Sequence, residues 1–291
     1  MMMNSAIPQE LLNGLMLGGI YVAIALGLTI IYGILKILHI AHAGVYLWGA
    51  YLGYMAYITT GSVLVSLLVA SLSAAVIGLA IERLVYLPAL NKPSHITLIM
   101  SIALFTFMTE MAAKIFGYYP KGFTIHWPLI TWNIGGVVIT SMQVFFLAIV
   151  YGASLGVWLW TSKTKVGLAS RALIQDMEVA KSMGVNIKRV IDMNFLIGSA
   201  LAGLSGVLVG MYYTMIYPHM GDVVAYKGLV VPVLGGFGSV PGAIIGGLIL
   251  GVSESYLTAY LGNILPRDAF AFLIMIIILI LRPQGLFGRS E

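Results

Sequence analysis

The chain has no cysteine, and only 9% of its 291 residues are charged. Without cysteine there is no disulfide framework, no thiol nucleophile and no thiolate metal site, and the redox compartment is left open. A soluble domain carries about 25% charged residues, so this chain has too few to wet a globular surface. No GxxxxGK[ST] phosphate loop occurs. The glycine-rich run GGFGSVPG at 235–242 lacks the lysine and the following Ser/Thr that such a loop needs. Serines and histidines are scattered over unrelated loops, no Ser/His/Asp set can be argued, and enzymatic activity is not expected. The first residues, MMMNSAIPQE, contain no basic n-region, so the first apolar run is expected to serve as its own uncleaved signal.

Apolar residues fill the space instead, at 60% of the chain with a mean hydropathy of +1.01. They form runs near 20 residues long without period-two alternation, which excludes a transmembrane barrel and indicates membrane helices. Eight runs read as spans: Leu11–Ile34, Ile40–Thr60, Val63–Ala80, Ile96–Phe116, Val137–Trp160, Val190–Met215, Ala243–Leu261 and Ala269–Leu281. A ninth, Gly228–Phe237, follows a short polar stretch, Pro218–Lys227. It is too short to cross alone and is interrupted by Gly235, Gly236 and Gly238. Interrupted apolar segments are what transporters use where unwound backbone lines a cavity. The expected fold is all-α: one polytopic helical membrane domain over residues 1–291, with about eight spans plus one broken or re-entrant segment. Tyr118–Gly136 carries the tyrosines and tryptophans of a headgroup interface.

Nine of the 25 formal charges fall in Lys163–Asp192. At about 2.5–3.5 kcal/mol each near a bilayer centre, nine would cost on the order of 20–30 kcal/mol, so this loop (161–190) lies in water. Leu173, Met177 and Ala180 share one helical face at i, i+4 and i+7, while Arg171, Gln175, Asp176 and Glu178 lie away from it. Gly184 suits the left-handed position that ends such a helix, and Lys181 suits its negative end. A short helix over Arg171–Gly184 is expected to dock on a partner or to lie on lipid. Asp176 and Glu178 weigh against lipid, because surface helices favour Lys and Arg on the polar face. Lys36, Arg83, Lys92, the charged stretch, Arg282 and Arg289 fall on one side if every segment crosses. The positive-inside rule then places that side and the C-terminus in the cytoplasm. Orientation thus accounts for the net charge of +5, and nucleic-acid binding is not implied.

Four features carry possible chemistry. His39 and His42 sit three apart, but no carboxylate lies near in sequence to complete a metal site. His42, with Gly44, either lines a path at a break opposite 235–242 or packs structurally. Gly235, Gly236 and Gly238 either cradle a substrate carboxylate with free backbone N–H groups or permit tight helix packing. Glu254 lies mid-span between Ser253 and Ser255, as a proton-coupling group or as a buried anchor between helices. Glu110 and Lys114 form an i, i+4 pair of structural character.

Four stretches resemble a known family. GLASRALIQDMEVAKSMGVNIKRVIDMNFLIGSALAGLSGVLVG is similar to the cytoplasmic coupling segment, and following span, of branched-chain amino-acid ABC transporter permeases of the LivH type. NGLMLGGIYVAIALGLTIIYGILKILHIAHAG resembles the family's first span and the motif behind it, VLGGFGSVPGAIIGGLILGVSE its glycine-rich segment, and LRPQGLFG its C-terminal signature. At 39–44 the family's Asn-Phe-Ala-His-Gly-Glu pattern reads HIAHAG, without the carboxylate. The resemblance implies an importer subunit for branched-chain amino acids in a bacterial or archaeal plasma (inner) membrane. Its implied partners are a second homologous permease or a second copy, two cytoplasmic ATPases that bind ATP and Mg, and an extracytoplasmic binding protein. This chain itself is expected to hold no cofactor. The Arg171–Gly184 helix would be the ATPase-coupling element. Urea, short amides, aromatic acids or other amino acids remain alternative substrates, and a proton-coupled secondary transporter using Glu254 is the alternative mechanism.

Overall fold

A computed structural model of the chain describes residues 2–90, 92–128 and 130–288, with side chains from Ile7 onward; Arg289 lies outside the described residues. The helices in order are α1 (Met2–Leu35), α2 (His42–Thr60), α3 (Val63–Ile81), α4 (Leu87–Ala89), α5 (Ser94–Phe116), α6 (Ser141–Lys163), α7 (Lys165–Gln175), α8 (Met177–Ser182), α9 (Ile187–Tyr212), α10 (Met220–Gly235), α11 (Val240–Leu261) and α12 (Arg267–Leu281). A single wide π-turn, Glu82–Tyr86, joins α3 to α4. Among the described residues six helices are long and apolar enough to cross a membrane: α1, α3 with its extension to Ala89, α5, α6, α9 and α11. The protein is a polytopic helical membrane protein.

α1 runs through the middle of the bundle, with 94% of its most apolar window buried. It packs against α11, α9, α10 and α6. Glycines set the closest crossings, since membrane helices gain little from hydrophobic burial against lipid and rely on backbone approach. A Cβ on Gly251 of α11 would strike the backbone of Gly18 of α1, and one on Gly49 of α2 would strike Gly203 of α9. Outer helices turn apolar rows outward: Leu64, Leu68, Leu72 and Val76 of α3, spaced by four, are all exposed. Local signals place the helix starts. Ser62 caps α3 by accepting from Val65 N–H, and Thr140 and Gln143 form a reciprocal capping box on α6.

The structure corrects several expectations. The span expected to begin at Val137 begins at Ser141. Val137–Thr140 is strand β2, paired antiparallel with β1 (Thr131–Ile134) in a hairpin. Two-residue strands at Lys121–Gly122 and Met215–Ile216 also pair, closing the same end. Most of the short polar stretch Pro218–Lys227 is helix, because α10 starts at Met220, and it carries the broken segment as far as Gly235 in its last two turns. Helix also continues beyond Ala80 to Ala89. Glu110 does not pair with Lys114; its carboxylate accepts from the Tyr118 hydroxyl at 3.3 Å.

Candidate functional site

At one end of the bundle, α6 hands over to the charged stretch at Thr164, whose hydroxyl accepts from Gly167 N–H at 3.0 Å and caps α7. The single helix expected over Arg171–Gly184 is two. Asp176 stands at φ −156°, ψ 115°, and its Oδ1 accepts from Glu178 N–H (2.8 Å) and Val179 N–H (2.9 Å), capping α8. An aspartate that can serve its own backbone in this way favours a helix start over a helix interior. Gly184, at φ +82°, ends α8. Val185 N–H donates to Ala180 O (3.1 Å) and Gly184 N–H to Lys181 O (3.0 Å), the paired bonds of a Schellman cap.

The break changes which face is free. Leu173 and Ala180 are buried in the protein's own core, which corrects the expectation that they line an outward stripe with Met177. The exposed large apolar side chains of the pair are Leu168 on α7 and Met177, Val179 and Met183 on and just after α8, among the exposed Arg171, Gln175, Asp176, Glu178 and Lys181. Sequence periodicity missed Val179 and Met183 because it ran one helix through Asp176. Inside, Asn194 Nδ2 of α9 donates to Ser170 Oγ of α7 at 2.9 Å and pins the unit to the bundle. Ile174 lies against Gly33 at the end of α1 and against Gly238 between α10 and α11.

The glycine break is tightly filled. Gly236 and Gly238 take φ values of +94° and +78°. A Cβ on Gly235 would meet the carbonyl of Gly242. The tail after α12 folds over the break: Leu286 N–H donates to Leu234 O (2.8 Å) and Phe287 N–H to Gly235 O (3.0 Å). These bonds satisfy carbonyls that the end of α10 leaves open. The stretch LRPQGLFG thus caps a helix distant in sequence. His42 does not face this break. It is 1% exposed, with its ring against Gly27 of α1, and it stacks edge-on with His39 at 5.4 Å. His39 Nδ1 pairs with the Tyr86 hydroxyl at 2.8 Å. Gly44 makes room for Met108 of α5.

Toward the opposite end, Glu254 of α11 is fully buried and gathers three donors. Lys227 Nζ (2.7 Å) and Arg267 Nε (2.7 Å) reach Oε1, and the Tyr21 hydroxyl donates to Oε2 (2.7 Å). Lys227 Nζ also pairs with Asp268 Oδ1 at 2.8 Å, and the Tyr226 hydroxyl donates to Asp268 Oδ2 at 3.2 Å. Two cations and two anions thus join α1, α10, α11 and α12, which is the arrangement of an anchor between helices. Glu254 was visible in the sequence as a mid-span carboxylate, but Lys227, Arg267 and Asp268 were not singled out. The available signal was that each stands at the edge of an apolar run and needs a partner.

Beside this cluster a cavity of about 400 Å³ is lined by α1, α10, the first turn of α12 and the Tyr213–Tyr217 loop. Lys227, Arg267, Asp268 and Tyr21 supply its polar wall; His42, Gly44, Gly235, Gly236 and Gly238 do not line it. Burial, reinforced by Asp222 and Tyr213, pushes the Tyr217 phenol above its ordinary value, so Tyr217 keeps its proton at the cavity edge.

A polytopic bundle with a cavity toward one end and a capped helix pair outside the other is the architecture of a membrane transport subunit. The chain belongs to the family described as "Branched-chain amino acid transport system / permease component", which it matches over residues 10–281. It is 35% identical, over 97% of its length and 96% of the relative's, to the high-affinity branched-chain amino acid transport system permease protein LivH of Escherichia coli strain K12. It is 33% identical over the same shares to the corresponding permease protein BraD of Pseudomonas aeruginosa. It is 31% identical to a probable branched-chain amino acid transport permease protein, LivH, of Methanocaldococcus jannaschii, over 53% of this chain and 49% of that one. No solved structure matches the chain. It is a permease, a transport subunit.

Proposed function

We propose that this permease is the membrane subunit of an ATP-driven importer for branched-chain amino acids. It works with a second homologous permease or a second copy of itself, two cytoplasmic ATPases that bind ATP and Mg, and an extracytoplasmic binding protein. The observation that carries this reading is the α7–α8 pair. Its exposed Met177, Val179 and Met183, interspersed with exposed charged residues, offer a docking surface to an ATPase, and Ile174 on the same unit touches Gly33 and Gly238. A displacement of α7–α8 on ATPase closure is delivered there to the junction of α10 and α11. Those helices carry Lys227 and Glu254, whose contacts fix the wall of the cavity at the other end. Alternating access then follows from shifting α10 and α11 against α1.

On this reading α2 and α12 cross the membrane with the six long spans, and α10 is the broken crossing. The α7–α8 end, with Lys36, Arg83, Lys92 and Arg282, faces the cytoplasm of a bacterial or archaeal cell, as positive-inside requires. The cavity faces the binding protein. Reconstitution tests the proposal. Proteoliposomes holding the assembled permease and ATPases are expected to accumulate labelled leucine only with ATP inside and binding protein outside. Accumulation driven by a proton gradient without ATP would overturn it and restore Glu254 as a coupling group.

A further inference from the structure

We propose that the 400 Å³ cavity is itself a binding site for a free α-amino acid in its zwitterionic form, with the ligand carboxylate on Arg267 and its ammonium on Asp268. This rests on the reading of the chain as an amino-acid permease and adds a site within the permease to whatever selection the binding protein makes. The cavity lies in the size range of small-ligand sites, which starts at about 300 Å³.

Its charges are divided in a telling way. Lys227 is 4% exposed at its side chain and is held between Glu254 and Asp268 at 2.7 and 2.8 Å. Arg267 and Asp268 are adjacent on the first turn of α12 and remain 44% and 50% exposed. Among the described residues Arg267 makes its side-chain contact through Nε, to Glu254, so its terminal nitrogens are available to an incoming carboxylate. Asp268 accepts from Lys227 and Tyr226, one bond on each oxygen, and a carboxylate has room for further donors. With Lys227 buried between Glu254 and Asp268, the half-exposed charges left on the wall are one cation and one anion side by side. A simple anion would meet the repulsion of Asp268, a simple cation that of Arg267, and a neutral amide would answer neither charge. Lining the same cavity are Leu17, Ile20, Ile24 and Val224, branched aliphatic side chains that suit an aliphatic ligand. The headgroup of a zwitterionic phospholipid presents the same two charges, so the lipid must be varied in the test.

The absence of cysteine supplies the probe. Val223, 39% exposed on the cavity wall, becomes the chain's one thiol as Val223→Cys. The assembled transporter, in nanodiscs of phosphatidylglycerol alone, is labelled with a membrane-impermeant maleimide, and modification of this chain is followed by mass. Leucine is expected to slow labelling. Leucinamide, which lacks the carboxylate, and isovalerate, which lacks the ammonium, are each expected to need roughly tenfold more or higher, as for loss of one hydrogen bond to a charged group. Arg267→Gln and Asp268→Asn raise the half-protecting leucine concentration by a similar factor, while Arg267→Lys recovers part of it. An unchanged labelling rate without leucine shows that the cavity has kept its shape. Labelling indifferent to leucine, in a transporter that imports leucine when reconstituted in liposomes, overturns the site. So does protection by phosphatidylethanolamine nanodiscs with none by leucine. Leucine protection without leucine import would instead overturn the transport reading and leave the site standing.

Discussion

Glu254→Gln removes the one buried carboxylate on which Lys227, Arg267 and Tyr21 converge. Breaking a buried ion pair typically costs 3–5 kcal/mol, because it strands the other charge away from water. Here the loss is smaller. Lys227, 4% exposed, keeps Asp268, and Arg267, 44% exposed, turns to solvent at little cost. We expect about 2–3 kcal/mol for Glu254→Gln. Lys227→Met is milder, about 1–2 kcal/mol, since Glu254 retains Tyr21 and Arg267. The double variant leaves neither buried charge unpaired. It is expected to be more stable than Glu254→Gln alone, with a coupling of roughly 2 kcal/mol between the positions. Reversible unfolding of the four proteins in SDS–detergent mixed micelles measures this directly. Losses that add, or a double variant weaker than either single one, would refute the reading of the cluster as a mutually compensating anchor.

Two further outcomes concern the other end. Asp176→Ala removes the acceptor of two N–H groups and is expected to weaken α8 by about 1 kcal/mol. It should raise hydrogen exchange at 177–183 with little change in α7 exchange. Ile174→Ala leaves the exposed face of α7–α8 intact but opens the contact with Gly33 and Gly238. ATPases should still co-purify, and ATP turnover per leucine imported should rise several-fold; unchanged stoichiometry would show that force reaches α10 and α11 by another route.

Most of the membrane frame was legible because apolar runs of about 20 residues have few other solutions. What escaped was set by partners distant in sequence or by a local competition that periodicity ignores. Val137–Thr140 is apolar and runs into a span, yet its β-branched residues pair with Thr131–Ile134 across a two-residue Gly135–Gly136 turn. Met220–Lys227 looked polar because it holds Asp222 and Lys227. It is helical because Lys227 finds Glu254 and Asp268, which lie 27 and 41 positions later. The split at Asp176 left a trace in the sequence, an aspartate with its preference for capping, but the apolar spacing on either side masked it. Gly184 was read correctly, since the end of α8 needs a left-handed residue there. The family resemblance singled out the charged segment as a whole. Only the fold separates its inward side chains, Leu173 and Ala180, from the outward ones.

The central claim is that α7–α8 is where the ATPases hold the permease. Val179 is 58% exposed at the third position of α8, where an acidic residue suits the helix N-terminus. Val179→Asp therefore charges the docking face without disturbing the fold. In cells expressing the full transporter, labelled-leucine uptake should fall to background, with the permease still in the membrane and the ATPases no longer co-purifying. Full uptake with ATPases still bound would contradict the account.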